Sequence, residues 1–367
     1  AFDSSHLGVM CCFCPDDLLC SCRASRWTSW RPRFARGRLP SVRASLRSSA
    51  PTSPAGIDAL STAQVGEVLK TAGQMRKLLE ARGCDESLKG KVLATIFCEQ
   101  PDRASCSFQA AMLRLGGAVL TVDASGSASA EGEALEDAAR SAECSCDALV
   151  LLHPRAGAAA VAAAAMNKPL LNAGDGSGEH PSQALLDLYT ILDELPGVGA
   201  ADAASSEVAL ASALRGRVVT MVGDLKNGPA VHSLAKLLSR FEVALRFVSP
   251  AALRMPEEVV SAASGDPGPT LHDALTTGIL EETDILYVTW FDQERFGSVA
   301  DYERVKDPLI ITPETLSKMK STAVVLHPHP RVGEVDPACG GDPRVAHFRQ
   351  MRNEMYVRMA LLRLIMC

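Results

Sequence analysis

The chain has 367 residues, enough for two domains that each bury a core. Apolar residues make up 47% and charged residues 22%, a globular rather than a disordered balance, and no run of eighteen apolar residues offers a membrane-spanning helix. Net charge is −6, with +5 on residues 1–56 (eight Arg, three Asp) and the acidic excess on the rest, which argues against nucleic acid as a partner.

The leading segment reads as targeting rather than fold. Arg23, Arg26, Arg31, Arg33, Arg36, Arg38, Arg43 and Arg47 lie among serines, and no acid stands between Asp17 and Asp58. That is the composition of an organellar transit peptide, which predicts a plastid or mitochondrial destination. A basic disordered arm on a cytoplasmic protein, or a misplaced gene start, has the same composition. Cys11, Cys12, Cys14, Cys20 and Cys22 crowd this segment, but no His-bearing second half follows at zinc-finger spacing, so neither metal nor cofactor is expected. The seven other cysteines are scattered, as in a protein of single reduced thiols.

From Ile57 the pattern becomes that of a folded chain. Ser61 precedes a helical repeat (Val65, Val68, Leu69, Ala72, Met75, Leu78, Leu79) that ends near Gly83. Strand-like runs at 92–97, 118–122 and 148–152 alternate with helical stretches at about 103–115, 135–142 and 158–166. Residues 196–215, rich in Ala and Ser, read as an inter-domain connection with one short helix. A second alternation places strands at 218–222, 243–248, 285–289 and 324–326, with helices at 256–263, 313–319 and after 228. A last helix, 348–366, repeats Met351, Met355, Met359, Leu362 and Ile365. Such alternation predicts an α/β fold of two domains, each a mostly parallel sheet with helices on both faces. The boundaries are 57–194 and 195–347, with 348–367 a terminal helix and 1–56 a disordered transit segment.

The most informative stretch is Asn172 to Leu188, N-A-G-D-G-S-G-E-H-P-S-Q-A-L-L-D-L. Glycines 174, 176 and 178 make a turn after a short apolar run, and Pro181 suits the first position of a helix. His180 and Gln183 then sit at a helix N-terminus, where backbone N–H groups and the helix dipole favour oxyanions. An ordinary strand-to-helix connection with a surface His has the same spacing.

Three further stretches accompany it: M-V-G-D-L-K-N-G with V-H-S-L (221–234), D-I-L-Y-V-T followed by E-R-F (284–296), and V-L-H-P-H-P-R-V (325–332). In order and spacing these resemble the aspartate carbamoyltransferase catalytic chain over about residues 57–367. H-P-S-Q and H-P-H-P-R look like the aspartate rather than the ornithine branch. The resemblance implies transfer of a carbamoyl group from carbamoyl phosphate to L-aspartate in pyrimidine synthesis, in a trimer with sites at subunit interfaces. It also implies that the last helix returns to the first domain.

Such a transfer joins two anions, so its site gathers cations and oriented N–H donors. By resemblance, the retained positions are Arg103, His180 and Gln183 in catalysis and Ser127 and Pro330 in substrate binding, with His329 replacing the family's leucine beside Pro330. The phosphate-holding Ser-Thr-Arg-Thr-Arg run has become Pro101, Asp102, Arg103, Ala104 and Ser105. Pro101 removes a backbone donor, and Asp102 either sets a carboxylate where a phosphate should sit or serves as an N-cap for the helix that follows. The lysine of the loop that reaches a neighbouring subunit is Glu131. The arginine before His153-Pro154 is Leu152, the two carboxylate-holding arginines are Pro229 and Trp290, and a nearby glutamine is Asp292. None of these replacements has a guanidinium fork. The expectation is therefore a member of the family impaired in catalysis, with a structural or regulatory role in a homotrimer or a mixed trimer with an active paralogue. An active enzyme, or one with another second substrate, is the alternative.

Overall fold

In the computed structural model two all-parallel sheets carry the chain. The structure describes residues 55–98, 103–123, 134–291, 298–328 and 330–367. The predicted transit segment to residue 54 lies outside the described residues. Ala55 and Gly56, counted with that segment on composition, belong to the fold. The Ala55 carbonyl accepts a hydrogen bond from Asn172 Nδ2 at 2.7 Å, and Gly56 stands against Glu179.

The first sheet has the order β2-β1-β3-β4, from β1 (Val92–Phe97), β2 (Ala118–Asp123), β3 (Ala148–His153) and β4 (Leu170–Asp175). Helix α1 (Thr62–Arg82) opens with a capping box: Ser61 Oγ accepts from Gln64 N, and Gln64 Oε1 accepts from Ser61 N. It stops at Gly83, whose φ of 74° favours glycine. Helices α2 (Arg103–Arg114), α3 (Leu135–Glu143), α4 (Ala158–Ala165) and α5 (Pro181–Glu194) complete this half. Every residue of β4 is buried, as parallel strands covered on both faces require.

Between the sheets lie two helices rather than the expected one, α6 (Ala200–Ala203) and α7 (Glu207–Leu214), the second capped by Ser206. The second sheet has the order β7-β6-β5-β8-β9. Its strands are β5 (Val218–Val222), β6 (Ala244–Val248), β7 (Thr270–His272), β8 (Ile285–Val288) and β9 (Val324–Leu326). Around them lie α8 (Pro229–Leu238), α9 (Glu257–Ala262), α10 (Thr277–Glu282), α11 (Val299–Lys306) and α12 (Pro313–Ser317).

The last helix, α13 (His347–Met366), packs on α1, α2 and α5 of the first half. Its buried face differs from the expected one. Met351, Met355 and Ile365 are only partly covered, whereas Gln350, Asn353 and Tyr356–Leu362 are buried. The polar members of that face find partners inside: Asn353 donates to Thr190, and Gln350 and Arg358 join the networks described below. Among the described residues no helix is long and apolar enough to cross a membrane, and Cys84, Cys106, Cys144, Cys146 and Cys339 are free thiols.

Candidate active site

Parallel sheets bind ligands beyond the carboxyl ends of their strands, where the strand order reverses. In the first sheet that point lies between β1 and β3, because β1 leads to β2 on one side and pairs with β3 on the other. In the second it lies between β5 and β8. The sequence motifs fall at both. Phe97 pairs with Leu152 at the first switch point, just ahead of α2 and of His153-Pro154. Gly223-Asp224 and Thr289-Trp290 end the two central strands of the second. There the chain closes tightly: Gly223 has a φ of 124°, and a Cβ on it would lie 2.4 Å from Thr289 Oγ1. Asp224 accepts from Lys226 N, Asn227 N and Asn227 Nδ2, which fixes the turn into α8.

The turn from β4 into α5 is held from within. Asn172 Oδ1 accepts from Gly174 N at 2.8 Å, and the buried Asp175 accepts from Glu179 N at 2.6 Å and from Gly157 N at 3.0 Å. Burial pushes the Asp175 carboxyl above its usual range, although these N–H groups oppose it. Gly176 is required here: its φ is 59°, and a Cβ would lie 2.1 Å from the Pro154 carbonyl oxygen. The Glu179 carboxylate gathers Ile57 N at 3.0 Å, Ser233 Oγ at 2.6 Å and Lys236 Nζ at 2.6 Å. Ser233 in turn accepts from His180 N at 2.9 Å, which binds the start of α5 to α8 of the second half.

His180 is the N-cap of α5, and its Nδ1 accepts from Gln183 N at 3.3 Å. An accepting Nδ1 places the ring proton on Nε2, so the imidazole presents an N–H donor. Burial of the ring, with the charge of Arg358 adding to it, lowers the His180 pKa to about 3. The side chain is therefore neutral at physiological pH, suited to polarising a carbonyl by hydrogen bonding. Leu152 lies beside it. A Cβ on Gly174 would meet Leu152 Cδ1 at 2.9 Å and His180 Cδ2 at 3.5 Å.

Gln183 is fixed by a carboxyl that the sequence reading did not single out. Its Nε2 donates to Asp187 Oδ1 at 2.9 Å. Gln350 Nε2 from α13 donates to the same oxygen at 2.6 Å, and Tyr287 OH from β8 donates to Oδ2 at 2.7 Å. Gln350 Oε1 accepts from His327 N, which anchors the 327–332 loop. That loop carries a second buried pair, His327 Nε2 to Glu334 Oε2 at 3.5 Å. Glu334 also accepts from Phe291 N and Val332 N. Burial alone would raise the Glu334 carboxyl, but the bonds from His327 and the backbone outweigh it and leave it below its usual range.

Under α2, Arg358 is fully buried. Its Nη1 donates to the Ala104 carbonyl at 2.5 Å and also to Ser107 Oγ, and its Nη2 pairs with Glu354 at 2.5 Å. The guanidinium also stacks over the Phe108 ring at 4.3 Å. On the far end of the 177–179 loop a cleft of about 530 Å³ is lined in part by Glu179, Lys226, His232, Lys236 and Arg254. Lys236 is neutralised there by Glu179, and Arg254 by Asp273.

Residues 55–193 match the family model described as the carbamoyl-P binding domain of aspartate/ornithine carbamoyltransferase, and residues 215–365 match its Asp/Orn binding domain. The chain belongs to the aspartate carbamoyltransferase family. It is 41% identical to the aspartate carbamoyltransferase catalytic subunit of Thermoplasma volcanium, over 83% of this chain and 95% of that protein. It is 44% identical to the multifunctional protein pyr1-3 of Dictyostelium discoideum over 82% of this chain, but spans only 13% of that protein's length. Aspartate transcarbamoylase of Trypanosoma cruzi, solved with carbamoyl phosphate, superposes with a TM-score of 0.78 at 35% identity, covering 88% of this chain and 98% of that one.

The positions that the family resemblance marks fall as follows. His180 and Gln183 come together at the start of α5, and Arg103 opens α2, with its side chain outside the described residues. Pro101, Asp102, Ser127, Glu131, Asp292 and His329 also lie outside the described residues. Ala104 is buried, and Ser105 Oγ accepts from Gln109 within the same helix. Leu152 belongs to the core, and Pro229 occupies the first turn of α8. Trp290 is 37% exposed, and Pro330 is exposed. Asp187, Tyr287, Gln350 and Glu334 were missed. The one legible signal was an acid inside the apolar run 184–188, four residues after Gln183. The family model's second match, ending at residue 365, includes α13, which packs against the first half.

Proposed function

We propose that the chain is an aspartate-carbamoyltransferase-like subunit of pyrimidine synthesis in which transfer from carbamoyl phosphate to L-aspartate is lost or strongly impaired. On this reading its role is structural or regulatory, within a homotrimer or a mixed trimer with an active paralogue. The observation that carries it is the character of the side chains at the two switch points. Ala104, Leu152, Pro229 and Trp290 offer no cation to a phosphate or to either carboxylate of a dicarboxylic acid. Each lost charge-assisted bond removes on the order of 1.5–3 kcal/mol of binding. Arg358 does not compensate, because Glu354 neutralises it. A neutral His180 and a fixed Gln183 support the family's carbonyl-polarising geometry, but they hold neither anion by themselves.

The test is calorimetry with a bisubstrate analogue that carries a phosphonate and two carboxylates, beside a turnover assay on the same preparation. No binding and no turnover above background are expected. Restoring the 101–105 run together with Glu131→Lys, Leu152→Arg, Pro229→Arg and Trp290→Arg should recover some turnover, and no single reversion should. Tight binding or clear turnover by the unmodified chain would overturn the reading in favour of an ordinary active enzyme. Sedimentation with and without an active paralogue tests the assembly, and a monomer under both conditions would refute it.

A further inference from the structure

The carboxyl of Asp187 is where three separate parts of the fold meet. It is fully buried on α5, and it is contacted by Gln183 from the same helix, by Tyr287 from the second sheet and by Gln350 from α13. All three are neutral donors, and among the described residues no cation is hydrogen-bonded to it. Ionised, it is an uncompensated charge in the seam between the two sheets, with only hydrogen bonds to offset its desolvation. Protonated, Oδ1 still accepts from both glutamine amides, while Oδ2 turns donor and Tyr287 O becomes its acceptor. The same three contacts thus survive without a buried charge.

We propose that Asp187 is a proton-held latch: the seam between the two sheets is tightest when its carboxyl carries a proton, and it loosens as that proton leaves. Burial pushes this carboxyl up to about 7, against the lowering effect of its three donors. The charged and titratable groups around it do not reverse that. Glu354 on α13 adds a like charge, and its partner Arg358 is spent on it. Tyr287 on β8 is itself held well above its usual value by burial and by Asp187. His180 at the start of α5 is neutral, the backbone N–H of His327 donates to Gln350, and Lys236 of the packed α8 is paired with Glu179. The sign follows from linkage. A group that binds its proton more tightly in the closed seam than in water closes the seam at low pH and opens it as pH rises through about 7. The latch does not depend on whether the chain turns over substrate.

The full chain, labelled with ¹³C at aspartate carboxyls, tests this by NMR, with hydrogen exchange followed by mass spectrometry between pH 6 and 8.5. One carboxyl should titrate near pH 7 and vanish in Asp187→Asn. After correction for intrinsic exchange, protection in peptides covering 285–288 and 347–353 should fall at least three-fold across that range. Asp187→Asn, a neutral isostere, should keep the high protection at every pH. Tyr287→Phe removes a donor that favours the ionised form, so it should move the titration to higher pH. A flat wild-type profile, a step that persists in Asp187→Asn, no carboxyl titrating between pH 6 and 8, or an Asp187→Asn chain that fails to fold would each overturn the proposal.

Discussion

Glu179 offers a perturbation whose size follows from the geometry. Its Oε2 accepts from Ile57 N and Ser233 Oγ, while its Oε1 accepts from Lys236 Nζ. Glu179 and Lys236 side chains are only 17% and 19% exposed, so solvent replaces little of what is lost. Glu179→Ala removes the acceptor of all three donors: loss of the Lys236 ion pair costs about 1.5–3 kcal/mol, and the stranded, buried Ile57 N–H costs about 1–2 kcal/mol. Asp58, 3.8 Å from Lys236 Nζ, recovers part of the first cost, and residual exposure screens it further. The net expectation is a loss of about 3 kcal/mol. Glu179→Gln should lose about 2 kcal/mol, because an amide oxygen in the Oε2 position keeps both Ile57 and Ser233 while the amide NH2 faces the Lys236 ammonium and the ion pair is lost. Urea denaturation of both variants, analysed by midpoint at constant slope, measures this. If Glu179→Ala cost less than 1 kcal/mol, or Glu179→Gln cost as much as Glu179→Ala, the carboxylate would not be the tie between the β4–α5 turn and α8.

Asp187→Asn carries a pH signature in global stability. A folded-state pKa of about 7, against about 3.9 unfolded, means the wild type loses roughly 4 kcal/mol relative to the variant as pH rises from 4 to 8. Urea midpoints across that range should diverge upward, and parallel midpoints would contradict the burial argument. Gly176→Ala should destabilise by more than about 3 kcal/mol, since its Cβ would lie 2.1 Å from the Pro154 carbonyl, a backbone atom that cannot turn aside. A thermal midpoint within two or three degrees of the wild type would show that the turn can relax.

Much of the fold was legible because its elements announce themselves locally. The run 92–97 and its successors are continuous apolar segments of strand length, and Ser61 with Gln64 and Gly83 marks both ends of α1. What escaped were pieces with little apolar pattern. The edge strand β7 has three residues, two of them exposed, and α10 and α11 are short helices with mixed faces. Their positions come from the sheet and the cap at Thr276, not from a hydrophobic period. The face of α13 was misjudged because the periodicity argument counts only apolar residues, whereas Gln350, Asn353 and Arg358 are buried by virtue of partners distant in sequence.

The candidate site divides along the same line. By itself the sequence determined the alternation of strands and helices and the glycine turn ahead of His180 and Gln183. Each is a matter of residue type and local spacing. Only the tertiary structure decided that His180 is neutral, because its environment is assembled from α5, Leu152 and Gly174 beside it, and Arg358 of the last helix. It likewise made Asp187 the meeting point of α5, β8 and α13, joining residues 100 and 163 positions away. Burial and hydrogen-bond partnership belong to the packed chain, and no local pattern encodes which distant donor a buried carboxyl will meet.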